Sequence, residues 1–179
     1  MRNSQKTAWL LLFMLLTLLQ GCRSLPPASP ASSPINHRSQ AIERAPASSA
    51  TVEKENAVVL FALGLLDTGY RFGGKNPDAG LDCSGMVSYI FQQAVGLRVS
   101  GSAADMARQS KPVDVNQLRP GDLVFFNTLN KPFSHVGLYI GQGRFVHAPS
   151  ESGRARVRTE NLSNRYFAAR LEAARSLLE

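Results

Sequence analysis

The chain of 179 residues is long enough for one ordinary domain and too short for two comfortable ones, so a long non-globular segment would come at the expense of the core. Twenty Lys and Arg against 13 Asp and Glu give a formal charge of +7, which points to an anionic partner. Basic and aromatic residues do not interleave as a nucleic-acid-binding sheet requires, which argues against DNA or RNA.

Arg2 and Lys6 open the chain, an apolar run with a single Thr follows from Ala8 to Leu19, and "LLQGC" closes it at Cys22. At roughly 1.5 Å per residue this run cannot cross a hydrocarbon layer of about 30 Å, and its order of charge, apolar stretch and small residue is that of a secretory signal peptide over residues 1–21. "LLQGC" resembles a bacterial lipobox, which implies cleavage before Cys22, lipid on its sulfur and a membrane anchor. Arg23, where a sorting Asp would otherwise stand, implies by the same resemblance the outer membrane, with the domain facing the periplasm. An ordinary signal peptide ending near a cysteine, or a short buried helix, is the plainer alternative.

Residues 22–53 are dominated by Pro, Ser and Ala, hold five of the ten prolines, and read as a tether. His37 lies in it and is discounted as a catalytic group. Loss of Arg2 and Lys6 with the signal lowers the charge to about +5. In a secreted, anchored protein this charge suits a cell-wall polymer or an anionic lipid surface.

The domain is expected over residues 54–179. Glu53 and Glu55 form a first turn, Ala57 to Leu66 an apolar stretch and Gly69 a stop, which predicts a mostly buried helix. "YRFGGKNPDAG" is a loop. From Asp82, apolar residues at Met86, Val87, Ile90, Phe91, Ala94 and Val95 precede Gly96, a helical stripe that puts Cys83 at a helix N-terminus. Ser102 caps a short helix, "AADMARQ". After Pro112 come strands: "DLVFF", "HVGLYIG", "RFVHA" and "RARVR". Helices first and strands second indicate an α+β domain on an antiparallel sheet, and the tail "YFAARLEAARSLL" has helical spacing.

Cys83 is the only cysteine of this domain. A thiol acts as a nucleophile through its anion, which the amides and dipole of a helix N-terminus favour, lowering the pKa. The same amides can receive an oxyanion, and Asp82 as N-cap would fix the chain there. An inert core cysteine fits the position equally. The domain's two histidines, His135 and His147, flank a hairpin turning at "GQG". A three-residue loop, 141–143, sets His147 diagonal to His135 on one face, within side-chain reach, whereas a two-residue loop sets them on opposite faces. In the first case Cys83 could attack a carbonyl, His135 move the proton and His147 hold the other nitrogen of His135. Satisfied sheet histidines are the plainer reading. A metal site is disfavoured, because one Cys and two His lack ligand spacing, and no cofactor is expected.

Taken together, "YRFGG", "GLDCSG", "RPGDLVFF", "SHVGLYIG" and "FVHAPS" resemble the NlpC/p60 family of cysteine peptidases, which cut the peptides of bacterial cell walls, and within it the Spr-like lipoprotein murein endopeptidases. The resemblance runs from about Lys54 to the end and implies a papain-like fold whose tail ends in a strand. It implies Cys83 as nucleophile, His135 as base, His147 as orienting residue and Tyr70 as an oxyanion partner. Asp82, Ser84 and Ser102 would line the substrate cleft. Two departures stand out: the loop between Tyr70 and Cys83 is one residue longer, and Gly101 stands where many members carry arginine. Arg154, Arg156 and Arg158 alternate as on one strand face, by default a solvated edge. The expectation is a lipid-anchored endopeptidase acting on peptidoglycan peptides. The alternatives are a non-catalytic wall-binding module and a thiol acyltransferase or amidase on the same fold.

Overall fold

The computed structural model describes residues 44–150 and 155–179, so the signal segment, Cys22, His37, most of the tether and Arg154 lie outside the described residues. Among the described residues no helix is long and apolar enough to cross a membrane.

Helix α1 spans Ser49–Gly64, with Ser48 as N-cap, its hydroxyl accepting from the N–H of Thr51 at 3.1 Å. Lys54, the expected domain start, falls inside this helix. Glu55 is not a first-turn surface residue but is buried, which pushes its carboxyl above the ordinary value against the pull of Arg119. The chain is folded even before the cap. The Arg44 guanidinium donates to both Asp122 oxygens at 2.5 and 3.0 Å and to Glu179 at 2.6 Å, while Arg119 donates to the Ala45 carbonyl. Composition favoured coil here because the order comes from ion pairs with residues far along the chain.

A small hairpin follows, β1 (Lys75–Asn76) with β2 (Gly80–Leu81), and leads into α2 (Cys83–Val95), which stops at Gly96. Helix α3 (Ala103–Gln109) carries the full capping box, Ser102 and Asp105 each bonding the other's main chain. The remaining strands are β3 (Lys111–Val113), β4 (Leu123–Phe126), β5 (His135–Gly141), β6 (Arg144–His147), β7 (Arg158–Asn161) and β8 (Leu171–Ser176), with helix α4 (Arg165–Ala168) before the last. They form one antiparallel sheet ordered β3-β8-β4-β5-β6-β7.

The tail expected to be helical from its spacing is α4 followed by a strand, as the resemblance implied. Leu171 to Ser176 lie between β3 and β4, where the ladder on both sides overrides helical propensity. The expected strand "RARVR" is also corrected. Residues 155–157 pair with residues 67–70, Arg156 donates to the Asp67 carbonyl at 3.0 Å, and only Arg158 joins the regular edge strand β7, opposite His147.

Two apolar layers cover the sheet. On one face Val58, Ala62, Met86, Ile90 and Phe91 of α1 and α2 pack on Leu123, Phe125, Val136 and Leu138. On the other, Val124, Phe126 and Phe145 pack under Phe167 of α4. Strand β4 therefore reads as an unbroken apolar run because it is buried on both sides.

Candidate active site

Asp82 fixes the start of α2. Its extended backbone precedes the helix, Oδ1 accepts from the N–H of Gly85 at 2.6 Å and from the Ser84 hydroxyl at 3.0 Å, and Oδ2 accepts from the N–H of Gly73 at 2.9 Å. The two glycines of "FGG" and the one of "CSG" make this joint possible. A Cβ on Gly85 would lie 1.9 Å from the Gly74 carbonyl oxygen, so a side chain there would push the loop away from the helix end.

The hairpin combines both turns considered from sequence. Gln142 and Gly143, with φ of 53° and 70°, form a two-residue turn after Gly141, which pairs with Arg144. That turn alone would split the histidines between faces. A bulge between Tyr139 and Gly141 restores the other register, Tyr139 opposite Phe145 and Leu138 opposite Val146. His135 and His147 consequently share a face, with His135 Nε2 2.9 Å from His147 Nδ1.

Cys83, His135, Tyr70, Asp82, Ser84 and Ser102 all line one cavity of about 360 Å³, together with Phe72, Lys75, Ser134 and others. His147 stands behind His135 and is fully buried. Tyr70 reaches the cavity despite the longer loop, because its N–H bonds the Ala155 carbonyl and it bridges to Leu81. Burial, then the neighbouring Cys83 and Asp82, raise its hydroxyl pKa and keep it a donor. Ser102 acts as a cap, and Gly101 before it has φ of 100° with Asp105 where a Cβ would go. An arginine at position 101 would need a different backbone.

The electrostatics differ from expectation in one respect. Burial raises the Cys83 thiol above its ordinary value, outweighing the N–H groups of Val136, Ser84 and Cys83 itself that favour the anion. Burial likewise drives His135 down to about 4, and His147 is lowered by burial, by His135 and by Arg158. Burial therefore favours the neutral thiol and the neutral imidazoles in the free site. Two contributors carry no signal in the sequence. One is the main-chain N–H of Val136. The other is Phe167, whose ring meets that of His147 at 5.1 Å and 89° and closes the histidine pair from above.

The longer helices on one face of an antiparallel sheet, with a cysteine at a helix N-terminus and a strand histidine lining one cavity, define an α+β domain of papain-like architecture with a thiol–imidazole site. The chain belongs to the NlpC/P60 family, which matches residues 67–176. It is 35% identical over 112 residues to the murein DD-endopeptidase MepH of Escherichia coli, covering 61% of this chain and 41% of that one. It is 39% identical over 107 residues to the gamma-DL-glutamyl hydrolase of Bacillus subtilis, covering 59% and 25%. Among solved structures, the NlpC/p60 domain of the peptidoglycan hydrolase SagA superposes with a TM-score of 0.59 at 29% identity, covering 69% of this chain and 98% of that one. The chain spans between 15% and 55% of the length of the curated relatives it matches.

Proposed function

We propose that this protein is a cysteine peptidase that hydrolyses amide bonds in peptidoglycan peptides, lipid-anchored through Cys22 at the outer membrane with its domain in the periplasm. The observation that carries the reading is the shared cavity of Cys83 and His135, with His135 Nε2 held by His147 Nδ1. With that nitrogen donating to His147, Nδ1 of His135 is left to take the thiol proton. The sulfur then attacks the carbonyl carbon, and the oxyanion meets the N–H groups at the start of α2 and the Tyr70 hydroxyl. His135 returns the proton to the leaving nitrogen, the C–N bond breaks and a thioester remains. Water, deprotonated by His135, cleaves the thioester and restores the thiol. Asp82 and Ser84 line the cleft beside the nucleophile, although the Asp82 oxygens already serve the cap, so their first role is to hold the nucleophile in place.

The test is product analysis by mass after incubation with purified peptidoglycan and defined muropeptides, with Cys83→Ala alongside. Product that disappears in the mutant supports a thiol hydrolase, and its mass names the bond. Retention on the wall polymer without product favours a binding module, and peptide transfer to added amines favours an acyltransferase. Lipid on Cys22 is read from the mass of the membrane-extracted protein.

A pH dependence follows from the lowered His135. A base that protonates only well below the usual histidine value of 6.5 stays competent in mild acid, so kcat/KM should hold through pH 6 and fall lower down. Phe167→Ala admits water to the pair, weakens the burial effect and should move this acid limb up toward 6.5. An acid limb that stays put in the variant would disconnect burial from the profile. Stability follows the same sign. The unfolded histidines take up protons as pH falls through 6.5, so the stability that neutral burial represents is present above that pH and lost below it.

A further inference from the structure

The catalytic cavity has a neighbour. Lys75, on β1, lines that cavity and also a groove of about 340 Å³ on its other side, formed with Ser88 and Gln92 of α2 and with Arg98 and Ser100 beyond it. No carboxylate is among the residues lining this groove. In the catalytic cavity the one carboxylate among the described lining residues, Asp82, is occupied by the Gly73 and Gly85 N–H groups and the Ser84 hydroxyl. Arg44, Arg119 and Arg175 are each tied to an acceptor, whereas the Lys75 and Arg98 side chains make no ion pair or hydrogen bond among the described residues.

Two uncompensated cations lining one groove, which shares Lys75 with the catalytic cavity, raise the local concentration of anions, and the Ser88 and Ser100 hydroxyls and the Gln92 amide add hydrogen-bonding capacity. A guanidinium fits a carboxylate through parallel N–H donors, and an ammonium adds a point charge on a flexible stem. Peptides of the bacterial wall carry free carboxylates along the stem. Building on the peptidase reading, we infer that the Lys75–Arg98 groove is a substrate subsite that binds a free carboxylate of the stem peptide while the scissile amide lies at Cys83. Specificity is then for acidic over amidated stems, set by residues outside the catalytic group.

The test uses the full chain carrying Cys83→Ala, so that nothing is consumed, titrated calorimetrically with the tripeptide L-Ala-γ-D-Glu-diaminopimelate and with the same peptide amidated at its carboxylates. The acid form should bind about tenfold more tightly at low salt, with the difference shrinking as salt is added. Adding Lys75→Gln and Arg98→Gln together should erase the preference, and Lys75→Arg should keep it, with thermal unfolding confirming that each variant is folded. Equal affinity for the two peptides, no measurable binding of either, or a preference that survives the double exchange would overturn the subsite. Failure of the peptidase reading looks different: the acid preference is present in binding, yet the protein with Cys83 intact turns over neither peptide.

Discussion

Exchange of His135 for alanine is expected to lower kcat on a wall muropeptide by about ten-thousand-fold, because in the proposed mechanism the same imidazole removes the thiol proton and protonates the leaving nitrogen. The free site makes this dependence steep. Burial raises the thiol pKa, which disfavours a standing thiolate that could react without a base. His147 is the more discriminating position. It makes no direct contribution to the catalytic cavity, and its Nδ1 lies 2.9 Å from His135 Nε2. As an orienting group its loss in His147→Ala frees His135 to rotate and to adopt the wrong tautomer, for a fall in kcat of about a hundredfold or more with little change in KM. His147→Asn supplies an amide oxygen that can accept from Nε2–H, and it should recover part of the rate. A packed histidine with no catalytic connection predicts the opposite pattern: alanine and asparagine variants would lose stability together and keep their turnover once folded.

Much of this site was legible in the chain because it is written in local rules. The N-cap Asp82, the stripe after it and the stop at Gly96 locate α2 and so place Cys83, and Ser102 locates α3 in the same way. The histidines were less determined, since either turn length suited "GQG", and the outcome depended on a bulge that no single residue announces. What stayed hidden depends on long-range burial. The helix-end argument gave the correct position of the thiol and the wrong direction for its pKa, because the dipole acts locally whereas desolvation is imposed by strands and loops from the rest of the domain. The tail shows the same conflict at the level of fold. Its helical spacing is real, yet a place between two hydrogen-bonding strands gives more than propensity can oppose.

The other large effect is expected in stability, from the N-terminal clamp. Arg44 is nearly buried and forms a forked pair with Asp122, which is itself only 2% exposed, and the same guanidinium reaches Glu179 near the chain's end. Arg44→Met leaves the Asp122 carboxylate buried against the main-chain N–H of Arg119 alone, and removing one partner of a buried pair costs about 3–5 kcal/mol. Adding Asp122→Asn removes the orphaned charge, so the double variant should recover part of that loss instead of summing two penalties. Urea unfolding of the single and double variants reads this directly. Equal midpoints for the wild type and Arg44→Met would mean that the pair is closed only in passing. A chain begun at residue 54 loses the clamp, the Ser48 cap and the first turn of α1 together, and should unfold at markedly lower urea than one begun at residue 44. That comparison also bears on where the tether proposed from Cys22 would end. If residues 44–53 belong to the fold, a tether in the proposed anchored form would be shorter by ten residues than composition suggests, a loss of roughly 33 Å of reach at full extension.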